Sequence, residues 1–232
     1  MTEPQNAFMD MFEDANLAAN YAEGPMRFVP GFSAMHQMAN ILIQESAPQD
    51  AHVLIHGAGG GLELEAFAKA NAGWAFTGID PAKPMLEAAR QRLGDLMDRV
   101  TLHHGYIDTS PAGPFDAATS LLTLHFLDLA ERQRTVSEIV RRLKPGAPVV
   151  VVHTSFPQAP EHRSGWLTRY RDYAISSGVD PDDAENACKA VSESLELLDP
   201  ETDENILRAA GLRDVSLFYA AFTWRGWFGF AP

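Results

Sequence analysis

The chain has a single cysteine, Cys188, in 232 residues. No intrachain disulfide can form, so the fold must be held by its core alone. Cationic residues are also scarce: 18 lysines and arginines stand against 31 aspartates and glutamates, a formal charge of -13. That balance argues against a surface that holds nucleic-acid phosphates by bulk attraction. No apolar run is long enough to cross a bilayer, and the start "MTEPQNAFMD" lacks the basic stretch and apolar segment of an export signal. The expectation is a soluble, cytoplasmic protein without membrane or nucleic-acid partners. Internal repeats, low-complexity tracts and clustered His/Cys/carboxylate spacings are missing too, and with the last goes the case for a metal site.

What is present is an alternation of short apolar runs and helical segments. "HVLIHG", "WAFTGI" (74–79), "VTLHHG" (100–105), "FDAATSLL" (115–122) and "APVVVVH" (147–153) read as strands, several of them continuously apolar, as strands covered on both faces must be. Between them lie "LELEAFAKANA", "PMLEAARQRLGDLMD" and "DLAERQRTVSEIVRRLK", the last with Asp128 and Glu131 at capping-box spacing. Such alternation implies an open α/β sheet, mostly parallel. One domain is expected over 1–232: N-terminal helices to residue 50 (about 7–19 and 33–44), a core over 51–154, a helical cap over 155–198, and a last helix with a closing hairpin over 199–232. In the second N-terminal helix Phe32, Met35, Met38 and Leu42 form a core stripe. In the last helix Asp199 caps, Pro200 takes the first position and Gly211 stops it. The cap leaves the fifth strand at its C-terminal end and is expected over the crevice where open α/β sheets bind ligands.

The densest signal is "HGAGGG", with four glycines between a strand and a helix. A strand, a glycine turn and a helix N-terminus let a ligand touch bare backbone amides. Gly57, Gly59 and Gly61 fall at GxGxG with Leu62 in the sixth position, so the GxGxxG spacing of a nicotinamide dehydrogenase is missing. The loop resembles motif I, (D/E)xGxGxG, of the class I S-adenosylmethionine-dependent methyltransferases. "TGIDPAKPMLEAAR" is similar to the family's "GvDxSxxMLxxAr" block, and "HHGYID", "FDAATSLLTLHFL" and "LKPGAPVVVVH" follow in the family's order.

That resemblance implies a Rossmann-like fold with sheet order 3-2-1-4-5-7-6 and an antiparallel seventh strand. It implies S-adenosyl-L-methionine as cofactor, S-adenosyl-L-homocysteine as product, and a small or medium-sized methyl acceptor; the oligomeric state stays open, a homodimer included. The implied cofactor residues are Gly57, Ala58, Gly59 and Gly61 in the loop, Asp80 on the ribose hydroxyls with Pro81, Met85 beside the adenine, Tyr106 and Ile107 after the third strand, and Leu121 at the end of the fourth. Two positions depart from the pattern: Ile55 stands where motif I opens with an acid, and Tyr106 where many members carry an adenine-contacting aspartate. Hydrogen bonds around the methionine part of the cofactor must then come from elsewhere. "YAEGPMRFVPGF" is similar to a segment of the carboxy-S-adenosylmethionine synthases, which implies that Arg27 meets the cofactor carboxylate; the arginine those synthases use for the extra carboxylate falls at Ile206.

His125 and His153, at the ends of the fourth and fifth strands, are candidates for taking a substrate proton, or else satisfied polar residues. Trp166, Arg169, Tyr170 and Tyr173 of the cap either line a substrate pocket or form the packed underside of a lid. Glu63 and Glu65 read as solvated charges, and His56, His103 and His104 as packed, hydrogen-bonded residues. Three functions stay open: a methyltransferase, a carboxy-S-adenosylmethionine synthase-like transferase, and a cofactor-binding partner protein without turnover.

Overall fold

Val53 and Ile55 point to one side of their strand and Leu54 to the other, and all three are fully buried. This is the period of two that a strand covered on both faces requires. A computed structural model describes residues 11–14 and 23–232, and in it this strand lies near the middle of one seven-stranded sheet. The strands are β1 (His52–His56), β2 (Ala75–Asp80), β3 (Val100–His104), β4 (Ala117–Leu121), β5 (Pro148–Thr154), β6 (Arg213–Ala221) and β7 (Trp224–Phe230). Their order is β3-β2-β1-β4-β5-β7-β6, as the resemblance implied. The sheet is mixed: β1 to β5 pair in parallel, while β7 runs antiparallel to both β5 and β6.

Helices cover both faces. On one side lie α2 (Phe32–Gln44), α3 (Leu62–Ala70) and α4 (Lys83–Leu93), preceded by the short α1 (Glu23–Phe28). On the other lie α5 (Leu129–Arg141) and, late in the chain, α8 (Pro200–Ala209). In α2 the buried stripe is Phe32, Met35, Ala39 and Ile43, with Met38 and Leu42 only partly covered at its edge. The earlier N-terminal helix expected at about 7–19 falls largely outside the described residues; within it, Met11–Glu13 form a 3₁₀ turn. The capping expectations hold: Asp128 accepts from the amide of Glu131 at 2.9 Å, and Asp199 from that of Thr202 at 3.0 Å.

The segment between β5 and α8 forms two helices, α6 (Pro160–Ser176) and α7 (Pro181–Ser194). It packs against α1 and the β6–β7 hairpin. Tyr170 inserts there, buried, with its ring 5.3 Å from Phe28 and 6.4 Å from Trp224. Trp224 Nε1 donates to the Phe28 carbonyl at 3.0 Å, and Tyr219 donates its hydroxyl to the Pro30 carbonyl. Among the described residues no helix is long and apolar enough to cross a membrane.

Candidate functional site

The sheet order reverses between β1 and β4, and a cleft opens there at the carboxyl ends of the strands, where doubly wound sheets bind ligands. β1 ends at His56 and the chain turns through Gly57 at φ 76°, in the left-handed region. The amides of Gly57 and Ala58 both donate to the Ile79 carbonyl at 2.9 Å, which ties the loop to the end of β2. A Cβ on Gly57 would lie 2.0 Å from Thr123 Oγ1, and one on Gly61 would lie 3.0 Å from Ala89. Those two glycines let protein pack on protein. Gly59 differs: a Cβ there would meet Met85 Cε at an ordinary 3.5 Å, and its backbone borders the cleft.

Asp80 ends β2 and is buried against the same loop. Its Oδ2 accepts from the Gly59 amide at 2.8 Å and its Oδ1 from the Ala82 amide at 2.9 Å. Burial raises its pKa, and the two amide hydrogen bonds offset part of that rise. Each carboxylate oxygen has one bond to the backbone and further acceptor capacity, the arrangement that suits two vicinal hydroxyls. Around it Ile79, Ala82, Met85, Leu121, Phe126 and Leu127 line an apolar slot. Phe12 closes one side, 5.5 Å edge-to-face from Phe126, and the exposed ring of Tyr106 stands at the rim.

A second lobe continues past Gly57 and Gly59 between the loop and α2, lined by Phe32, His36, Leu62 and Glu63. Leu122 borders both lobes and holds φ 57°, a left-handed backbone that costs free energy in a non-glycine residue and concentrates at functional sites. Glu63 corrects the expectation of a solvated charge. The buried face of α3 runs through Glu63, Leu64, Phe67 and Ala68, so Glu63 is only 6% exposed, and the buried Thr119 hydroxyl donates to it. Burial lifts its carboxyl to about 8, with Thr119 opposing. Glu65 lies on the outer side and pairs with Lys69 at 2.7 Å. No lysine or arginine is found among the described residues lining either lobe; the ionisable side chains with carboxyl or imidazole groups are Asp80, Glu63, His56 and His36, besides the phenol of Tyr106. Desolvation lowers both histidines to about 4, so they are neutral at physiological pH.

Of the residues singled out from sequence, Gly57, Gly59, Asp80, Pro81, Met85, Tyr106 and Leu121 line the first lobe, and Ala58 the second. Ile107 is buried below Tyr106, in a side groove with His56 and Leu127. Arg27 is not brought to the cleft: its Nη1 donates to the carbonyl of Gly178, between α6 and α7, at 3.2 Å. His125 and His153 are not brought there either. Both are buried behind the wall, where His153 Nε2 lies 3.1 Å from Asp203 Oδ1, off the line a hydrogen bond requires. Asp203 binds Arg132 at 2.6 Å in the same pocket of polar groups, and His125 stacks 4.3 Å from Phe126, which does face the cleft. Among the described residues lining the two lobes none comes from 155–198. Tyr170 is spent on the core, Tyr173 packs 6.2 Å from Phe222, and Trp166 lies under the guanidinium groups of Arg169 and Arg225 at 4.6 and 5.4 Å. The reason is Tyr170 itself, which anchors α6 to α1 and the hairpin, away from the loop.

Residues 54–149 match the family model of a methyltransferase domain. Over 211 residues the chain is 21% identical to the carboxy-S-adenosyl-L-methionine synthase of Campylobacter lari, covering 91% of this chain and 89% of the relative. Over 152 residues it is 32% identical to the demethylmenaquinone methyltransferase of Clavibacter sepedonicus, covering 64% of this chain and 60% of the relative. An O-methyltransferase family 2 protein from Planctomyces limnophilus, solved with apigenin, shares the fold at a TM-score of 0.64 and 14% identity, over 100% of this chain and 62% of that one. The chain likewise spans 57% and 59% of the length of two other solved neighbours. Fold, domain match and cleft are similar to those of the S-adenosylmethionine-dependent methyltransferases, whose cofactor is S-adenosylmethionine. The cleft fits that group: a carboxylate for a ribose, an apolar slot for an adenine, bare backbone at Gly59, and no lysine or arginine among its described lining residues to repel a sulfonium.

Proposed function

We propose that the protein transfers a methyl group from S-adenosylmethionine to a small or medium-sized acceptor. The observation that carries this reading is the Asp80 carboxylate bonded to the loop amide at Gly59, with an apolar slot on one side and, on the other, a lobe whose described lining holds no lysine or arginine. Asp80 would hold the ribose, Met85, Leu121 and Phe126 the adenine, and the free amides at the start of α3 the cofactor carboxylate. When bound, the cofactor supplies an activated methyl group on a sulfonium with a good leaving group. The chain's part is then to orient both partners and exclude water. Leu122, Thr123 and Tyr106 form the wall open to an acceptor. His56 is the neutral imidazole in that wall, held by Ser120 Oγ at 3.0 Å from Nδ1. His125, with its ring 4.3 Å from that of Phe126, would act as a positioning residue behind it, while His153 lies deeper against Trp227 and Asp203.

A carboxy-S-adenosylmethionine synthase-like activity is the second reading, supported by the names of several relatives. The cation-free lining of the described cleft weighs against it, because an additional carboxylate would have no counterion there. Incubation with methyl-labelled cofactor and a panel of small phenols, quinols, amines and carboxylic acids tests the proposal. Label on an acceptor supports it, whereas tight retention of cofactor with no transfer across the panel points to a binding protein.

A further inference from the structure

Glu63 is the second carboxylate of the cleft, and no fold requirement explains it. It is the second residue of α3, nine-tenths buried, and its described bond is the one from Thr119. No lysine or arginine among the described residues pairs with it, although buried carboxylates are ordinarily kept by such pairs. A glutamine would accept from Thr119 equally well and would not have to be held in its protonated form by burial. Glu63 nevertheless lines the lobe that continues from Gly59, opposite the side on which Asp80 binds the same loop. The other titratable side chain lining that lobe is His36, whose imidazole burial keeps neutral. On the far flank of the loop, the position where motif I opens with an acid is Ile55, fully buried and apolar. A ligand whose diol rests on Asp80 directs its amino-acid end into this lobe, and that end carries a primary ammonium.

We propose that Glu63 receives the α-ammonium of the bound cofactor, supplying from the helix side the anion that Ile55 cannot supply from the strand. The inference rests on the cleft being the cofactor site. In the free protein burial holds the carboxyl largely neutral near pH 7, with a pKa of about 8. Arrival of the ammonium, already protonated, favours the carboxylate. The carboxyl proton leaves to buffer and an ion pair forms, with no other bond made or broken.

Isothermal titration of the full chain at pH 7, in buffers of different ionisation enthalpy, tests this with S-adenosylhomocysteine and with adenosine, which lacks the amino acid. For the wild type, S-adenosylhomocysteine should release close to one proton and adenosine none. In Glu63→Gln, which keeps the acceptor for Thr119, the release should vanish and S-adenosylhomocysteine affinity should fall about tenfold or more, while adenosine binds as before. An unchanged proton release, or S-adenosylhomocysteine affinity within about twofold in folded Glu63→Gln, overturns the assignment and leaves the cofactor site intact. Failure of S-adenosylhomocysteine to bind the wild type would instead overturn the cofactor site, and this assignment with it.

Discussion

The amide of Gly59 donates to Oδ2 of Asp80 across 2.8 Å, joining the glycine loop after β1 to the last residue of β2. The bond fixes where a carboxylate stands relative to a loop glycine whose backbone faces open cleft. Both lobes of the cleft meet at this glycine.

The glycine at the start of the loop serves packing, and its replacement should show it. A Cβ on Gly57 meets Thr123 Oγ1 at 2.0 Å in a backbone that already has φ 76°. Gly57→Ala should therefore destabilise the protein by roughly 1–3 kcal/mol and weaken S-adenosylhomocysteine by displacing the loop. Chemical denaturation with and without ligand measures both, and a variant as stable as the wild type would contradict the close approach.

Asp203 should matter to stability far more than to ligand affinity. It and Arg132 are both almost wholly buried, and Asp203→Ala leaves the guanidinium without its carboxylate. A loss of about 3–5 kcal/mol in urea unfolding is expected. Burial alone would raise the Asp203 pKa, but His153 and Arg132 bring it down to about 2. A depressed carboxyl contributes stability that is present above the ordinary range and disappears as pH falls through about 2, so acid unfolding should come earlier in the variant. A loss below about 1 kcal/mol would mean the pair is not the anchor of this region.

Tyr170 is expected to hold α6 to α1 and the hairpin. Tyr170→Ala should cost about 3–5 kcal/mol, the range for emptying a buried aromatic site, and leave S-adenosylhomocysteine affinity unchanged once the protein is folded. Circular dichroism and titration calorimetry separate the two effects. Loss of ligand binding in a folded variant would bring the helical segment back over the cleft.

The pH dependence of stability carries the signature of Glu63. Its carboxyl is raised from 4.5 to about 8 in the folded chain, so the stability it contributes is complete at low pH and is lost as pH rises through about 8. Without ligand, the melting temperature of the wild type should fall more steeply between roughly pH 5 and 9 than that of Glu63→Gln. The lowered pKa values of His36 and His56 act in the opposite direction and are common to both proteins. Parallel curves would show that Glu63 titrates normally.

Much of the scaffold could be read from local pattern. The apolar runs that became β1, β4 and β5 needed no partner to be recognised, and the acid at Asp80 was marked by its distance from the loop. Glu63 escaped because its burial depends on which face α3 turns to the sheet, and two glutamates at alternate positions look alike in sequence. The Arg132–Asp203 pair escaped for a related reason: the residues lie on α5 and α8, 71 positions apart, and meet only when both helices cover the same face. Arg27 rested on the resemblance of its segment to that of the synthases, and the aromatic residues of α6 on their order along the chain, which carries no information on how Tyr170 rotates that helix into the core.

Titration calorimetry of S-adenosylhomocysteine into the wild type and Asp80→Ala, with a nicotinamide dinucleotide as control, tests the central claim most directly. The account predicts saturable binding to one site in the wild type, none of the dinucleotide, and an affinity loss of roughly 1–3 kcal/mol in the folded variant, the cost of removing a buried hydrogen-bond partner. Absence of S-adenosylhomocysteine binding to the wild type, or equal affinity in a folded Asp80→Ala protein, would contradict it.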